Sequence, residues 1–415
     1  MGNTGVYLPY RPSGINDHPQ ENILMKITGV DVFIYKHPQH YMLRGVEETP
    51  GRIKGTDYFF EPHWRQSYSR QVESCLVKVT TDNGLEGWGE AQAPIMPEMP
   101  GTIIQRLFGP ILIGRDPLER EWVYDQLYHI NNVRGHGSGF AVDAIAALDI
   151  ALWDIAGRHY GVPVYELMGG PCRKTLPAYV SGLREPTLDA QGEAARRFVE
   201  RGFGAIKIFL GHGIKKDIHA IRTIRDAVGP EVTLYCDLLW RYRLDEAVRI
   251  GRVLDEEGYE WLEAPLAPED IPGHRILADT LDVPVAVGEP LRTVYEFLPW
   301  FEQRALEIAQ PDIVRTGFTA AKKIAGMAEA FRIPVAPHIG VCTGIGMAAT
   351  WQFAITLPNL LIQEYQIKLM DGVTQLLNTS LEEREGRLIV PDGPGLGVEV
   401  NEEVVQSNTT EHWSV

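Results

Sequence analysis

From Met25 the chain alternates apolar and polar residues, first in KITGVDVFIYKH and again in SCLVKVTTDNGLEGWGEA. A period of two is the signature of a strand with one buried face. Thr81-Asp82-Asn83-Gly84 separates two such runs and reads as a hairpin turn. Between the first strand and the hairpin lies a stretch rich in aromatics and glycines, over about 40–67. Loops of that length inside a compact domain are usually lids or binding loops. Over 117–156 the period becomes helical, most plainly in AVDAIAALDIALWDIAGRHYG, which closes on a glycine. These elements predict an α+β segment.

After Gly169-Gly170 the texture changes. Eight short apolar runs (LPAYVSG, GAIKIFLG, VTLYCD, YEWLEAP, VPVAVGEP, LEIAQPD, IPVAPH and LLIQEY) follow between residues 176 and 365, with amphipathic stretches such as EAARRFVERG between them. Alternation of strand and helix with a period near 25 residues predicts a (β/α)₈-type barrel. A doubly wound open sheet is the competing architecture, but no G-x-G-x-x-G turn follows the first strand of the repeat. The tail, EGRLIVPDGPGLGVEV, is again strand- and turn-like and is expected to return to the N-terminal segment. The expected organisation is therefore a loose leader over 1–24, a capping α+β domain over 25–165 joined by 372–415, and a barrel over 166–371.

Composition narrows the partners. A chain of 415 residues can bury a large core and suits two domains. Its net charge of −16 argues against nucleic acid and anionic membrane surfaces. Cys75, Cys172, Cys236 and Cys342 lack paired spacing, so neither a disulfide framework nor a zinc site is indicated. The leader has no apolar core of a signal peptide, and no run of about 18 apolar residues occurs. A cytoplasmic location and a closed homo-oligomer are the corresponding expectations.

Candidate chemistry sits at the strand ends, which form the active face of such barrels. Asp237, Glu263 and Glu289 recur at intervals of 26 residues, each just after an apolar run. A single carboxylate there is ordinarily a helix cap. Three on successive strands instead suggest oxygen ligands for a hard divalent cation, with Mg²⁺ the natural candidate. Asp312 and His338 end the next two strands, and an Asp beside a His gives an oriented acid/base. Lys207 could neutralise a substrate carboxylate, and Glu364 could donate a proton or a hydrogen bond. In the long loop, His63, Trp64 and Arg65 are candidates for substrate contact, with His63 and Arg65 as the binding residues.

Taken together, AVDAIAALDIALWDIAGRHYGVPVYELMGG, the Asp/Glu/Glu ladder, QPD followed by PH, and PDGPGLGVEV resemble the enolase superfamily in its mandelate racemase/muconate lactonizing branch. The resemblance runs from about Met25 to the C-terminal region and is closest in kind to acid-sugar dehydratases. It implies a modified TIM barrel, (β/α)₇β, under an N-terminal α+β cap. It further implies Mg²⁺ held by Asp237, Glu263 and Glu289, with Asp312–His338 as the acid/base pair. Members abstract the proton α to a carboxylate and stabilise the resulting ene-diolate.

Two departures shape the expected reaction. Where racemases of the branch carry Lys-x-Lys, this chain has Lys207-Ile208-Phe209; where Asp-x-Asn is common, it has Asp237-Leu238-Leu239. Phenylalanine cannot move a proton, and His212 is the only nearby substitute. The expectation is therefore a Mg²⁺-dependent dehydratase of an aldonate or aldarate that works with His338 alone. Cycloisomerisation, racemisation or epimerisation by the same ene-diolate, and a silent binding barrel, are the alternatives.

Overall fold

The computed structural model describes residues 25–38, 53–61, 66–183, 185–366 and 372–415. The leader and His63, Trp64 and Arg65 lie outside the described residues. Near the N-terminus, β1 (Ile27–His37), β4 (Val72–Thr81) and β5 (Glu86–Ala91) form an antiparallel meander, with β2 (Tyr58–Glu61) and β3 (Gln66–Ser69) as a separate hairpin. The last strand of the chain, Thr409–Ser414, adds to the free edge of β1, so the two ends of the described chain share one sheet.

The helix Phe140–Tyr160 lies across this sheet, and every residue from Ala141 to Gly157 is buried. A helix apolar on all sides must be covered on all sides; here the sheet takes one face and the barrel another. Gly89 of β5 shows how close the approach is, since a Cβ there would stand 1.9 Å from the carbonyl oxygen of Ala147. The helix ends at Gly161, whose φ of 69° reverses the chain.

The barrel follows as parallel strands β6 (Leu176–Ser181), β7 (Ala205–Phe209), β8 (Thr233–Asp237), β9 (Trp261–Glu263), β10 (Val285–Val287) and β11 (Ile308–Ala309). The seventh position is reduced to bridges made by Val335 and by His338, and β12 (Gln363–Tyr365) closes the ring on β6. A helix follows each of the first seven positions. Among the described residues after β12, the hairpin β13–β14 (Glu382–Arg384 and Arg387–Ile389) follows, and β14 pairs antiparallel with β6. The architecture is thus (β/α)₇β under a cap; among the described residues the chain after β12 shows a helical turn over 372–373 and then this hairpin, in place of the regular eighth βα unit suggested by periodicity.

The barrel interior explains where the polar residues go. Tyr179, Ala205, Tyr235, Trp261, Ala286, Ile308 and Ala336 form one buried layer, with Ile362 packed against it. Tyr235 stacks on Trp261 with ring centroids 3.6 Å apart, filling the barrel below the mouth. Side chains of a strand return to the same face every second residue. Two residues beyond this layer stand Lys207, Asp237, Glu263, His338 and Glu364, each on the inward face. Glu289 and Asp312 arrive from the turns that follow β10 and β11.

Cap and barrel are tied by carboxylates that cap helices across the junction. Gly317, at φ 69° and ψ 167°, interrupts the helix Ile313–Ala330, and Asp149 of the cap accepts from the Thr319 amide at 2.9 Å and hydroxyl at 2.6 Å. Glu90 of β5 does the same for the helix Gly344–Ala354, accepting from the amides of Thr343 (2.7 Å) and Gly346 (2.9 Å). The first turn of a helix leaves backbone donors unpaired, and a buried carboxylate satisfies them.

Candidate active site

One cavity of about 140 Å³ at the barrel mouth is lined by Lys207, Asp237, Glu289, His338 and Glu364, together with Arg315 and Gln92. Glu263 does not reach its wall. Five of the candidate residues named from the sequence line this cavity; Glu263 stands behind Lys207, and Asp312 behind His338.

The His338–Asp312 pair is the tightest part of the arrangement. The two residues are bridge partners on adjacent parallel segments. His338 Nδ1 lies 2.7 Å from Asp312 Oδ2, which reads as Nδ1–H donating to the carboxylate. That bond turns Nε2 toward the cavity, 3.2 Å from Glu289 Oε2. Burial works against a charged imidazole, but Glu364, Asp312 and Glu289 outweigh it and raise the pKa well above its usual value.

Lys207 is wholly enclosed. Its ammonium donates to both oxygens of Glu263 at 2.8 and 2.9 Å and lies 3.2 Å from Glu364. Burial opposes the charge, and the two glutamates more than reverse that, so the pKa rises well above the lysine norm. Glu364 also accepts from the Ile339 amide at 2.8 Å, so it anchors both the lysine and the turn after His338. Burial tends to raise its pKa, yet Lys207 and His338 bring it below the ordinary value. An ionised Glu364 acts as a hydrogen-bond acceptor.

Asp237 and Glu263 stand in direct register on neighbouring strands, and Glu289 follows the next strand, β10. Burial, and for Asp237 the charge of Glu263, pushes the pKa of both upward. Glu289 differs: against burial, bonds from His338 and Trp240 hold it down to about 2. Among the described residues no three acidic, histidine or cysteine side chains close around a single point. Glu263 is drawn to Lys207, and Glu289 to His338 and the Trp240 indole, whose Nε1 donates at 2.5 Å. The donor set is nonetheless suited to a hard cation. It is all oxygen, Asp237 and Glu263 are buried, and these two carboxylates repel each other with one lysine to serve them.

Phe209 and Leu239 both line the cavity, so the departures read in the sequence are apolar walls at the reaction centre. The Phe209 ring centroid is 5.8 Å from the Lys207 ammonium. His212 borders a separate cavity with Trp240 and Arg243.

Three further contributors carry no signal in the sequence. Trp240 follows Asp237 through two consecutive residues of positive φ, Leu239 at 53° and Trp240 at 58°. Such conformations cost roughly 1–3 kcal/mol each, and this turn is what aims the indole at Glu289. Arg315 lies in the first helical turn after Asp312, where an arginine is unremarkable. Gln92 comes from the cap, just beyond β5, and accepts from Arg315 Nε. Only the fold brings these three to the mouth.

The comparisons with known proteins agree with this fold. Residues 62–169 match the mandelate racemase/muconate lactonizing enzyme N-terminal domain, and 190–404 match the enolase C-terminal domain-like family. The chain is 33% identical to the D-galactarolactone cycloisomerase of Agrobacterium fabrum over 80% of its own length and 89% of the relative's. It is 30% identical to the arabinonate dehydratase of Saccharolobus solfataricus, covering 81% and 90%. The crystal structure of an enolase-superfamily member from Agrobacterium tumefaciens superposes with a TM-score of 0.87 at 35% identity, covering 92% of this chain and 98% of that one. No helix among the described residues is long and apolar enough to cross a membrane. The chain is an enzyme of the enolase superfamily, in its mandelate racemase/muconate lactonizing enzyme branch.

Proposed function

We propose that this enzyme dehydrates a sugar acid, an aldonate or aldarate, to a 2-keto-3-deoxy acid, with His338 as its single acid/base. The observation that supports the reading is that an oriented imidazole and Phe209 line the same cavity, with phenylalanine at the chain position where the racemases of the branch carry a second lysine. Dehydratase names among the relatives support the reaction class.

Asp237, Glu263 and Glu289 would hold a divalent cation, Mg²⁺ by the oxygen-only donor set. When bound, the ion would supply Lewis-acid stabilisation of negative charge on the substrate carboxylate and would compete with His338 for Glu289. Lys207 adds a permanent positive charge beside the same carboxylate, kept protonated by Glu263 and Glu364. Preorganised charge of this kind is usually the largest contribution to lowering such a barrier. Asp312 holds His338 in the tautomer whose Nε2 is free to accept. His338 Nε2 takes the α-proton, the C–H electrons pass into the ene-diolate, and the imidazolium then returns a proton to the β-hydroxyl. The β C–O bond breaks, water leaves, and the enol tautomerises to the keto acid. Both proton transfers occur on one face.

His338→Asn keeps a hydrogen-bonding side chain but removes the base. With Mg²⁺ and a panel of aldonic and aldaric acids, turnover is expected to fall by ~10²–10⁴-fold. Retained turnover would remove His338 from the mechanism. The cycloisomerase relative favours a second reading with the same ene-diolate and a ring oxygen as leaving group. Product analysis separates them: dehydration of an open-chain acid yields a keto acid that forms a semicarbazone, whereas cycloisomerisation consumes a lactone.

A further inference from the structure

The cavity that receives the reacting carboxylate presents a second cationic group that the chemistry above leaves unused. Arg315 lines the same cavity as His338, Glu289 and Phe209. Its Nε donates to Gln92 Oε1; among the described residues its two terminal amino groups have no hydrogen-bond partner in the protein, and no carboxylate lies within ion-pairing distance. The neighbouring cations differ. Lys207 is committed to Glu263 and Glu364, and Arg292 is paired with Asp143 at 2.7 Å.

A guanidinium held at one edge by a neutral amide keeps its full charge and offers two parallel donors. That fork matches a carboxylate, and a hydroxymethyl group would leave half of it unpaired. The remaining polar lining, Gln66, Tyr68, Gln92 and Gln366, is neutral and suits hydroxyl groups.

From this geometry we infer that Arg315, anchored by Gln92, determines specificity by taking a distal carboxylate. The substrate is then a diacid, an aldarate or a derivative that keeps its second carboxylate, rather than an aldonate. This assignment rests on the ene-diolate reading above, with the first carboxylate at the reacting end.

The test compares diacid and monoacid pairs of matched configuration, such as galactarate with galactonate and glucarate with gluconate, on the Mg²⁺-loaded wild-type enzyme. Dehydration and α-proton exchange in deuterium oxide are both followed. The kcat/KM for the preferred diacid is expected to exceed that for its monoacid by ~100-fold or more, since a site built to pair a polar group rejects the analogue lacking it. Arg315→Gln is expected to raise KM for the diacid by ~30-fold or more with kcat nearly kept, and Arg315→Lys to recover part of it. Equal handling of both acids by the wild type, or an equal loss on both in Arg315→Gln, overturns the assignment. Calorimetry on His338→Asn supplies a readout without turnover. Absence of exchange with every acid would reject the ene-diolate reading alone, and diacid binding no tighter than monoacid binding would reject the role of Arg315 alone.

Discussion

Glu90 offers the sharpest test of how the cap supports the site. Its carboxylate is fully buried and accepts four hydrogen bonds. Oε1 takes the Thr343 amide at 2.7 Å and the Ser74 hydroxyl at 2.6 Å; Oε2 takes the Gly346 amide at 2.9 Å and the Thr343 hydroxyl at 2.6 Å. Glutamine has nearly the same shape but only one accepting oxygen. Whichever way its amide turns, an NH₂ group faces either the Thr343 or the Gly346 N–H. Hydroxyls can rotate to accept, whereas a backbone N–H cannot, so one buried donor is orphaned in either orientation. That costs ~1–3 kcal/mol, and Glu90→Ala, which orphans both amides, should cost ~2–6 kcal/mol. Denaturant unfolding measures the loss, and hydrogen exchange at Thr343 and Gly346 localises it. A Glu90→Gln protein within ~0.5 kcal/mol of wild type, the range of an ordinary surface change, would refute the accounting. Unaltered protection of both amides would refute the location.

Two further outcomes follow from the same junction. Burial raises the Asp149 carboxyl from its ordinary value of 3.8 to about 6 against the bonds from Thr319. The folded state therefore binds this proton more tightly than the unfolded chain does. Its contribution to stability grows as pH falls through about 6, is complete below about 4, and is lost as pH rises again. At roughly 1.4 kcal/mol per pH unit the gain is ~3 kcal/mol, seen as wild type gaining on Asp149→Asn between neutral pH and pH 4. A difference between the two proteins that does not vary with pH would contradict it. At Gly317 a Cβ would lie 2.6 Å from Asp149 Oδ2 at a φ of 69°. Gly317→Ala should lose ~2–4 kcal/mol by denaturant unfolding, from backbone strain and a disturbed cap, and a near-neutral result would count against the cap.

Much of the fold can be read from periodicity alone, because burial on one face of a strand or helix leaves a local record. The shift from alternation in KITGVDVFIYKH to helical spacing in AVDAIAALDIALWDIAGRHYG marks the cap, and the repeating βα texture marks the barrel. The hairpin that, among the described residues, stands in place of an eighth regular βα unit leaves no such record, since β13 and β14 differ from a loop only in what they pair with. The strand-end residues were legible for a related reason. The inward face recurs every second residue, so Lys207, Asp237, Glu263, His338 and Glu364 each stand two places beyond a residue of the layer that fills the barrel. What those side chains bond to is another matter. Lys207 reaches Glu263 across 56 residues, and Gln92 reaches Arg315 across 223.

By itself the sequence determined the chemistry available: the carboxylates, the imidazole, the lysine, and phenylalanine in place of a second base. Those are properties of residue type and register, which local spacing carries. The tertiary structure decided which nitrogen of His338 faces the cavity, which carboxylates Lys207 neutralises, and which arginine is left with open donors. Those depend on charges and hydrogen bonds between segments distant in the chain, and such pairings exist only once the barrel has closed and the cap has packed on it.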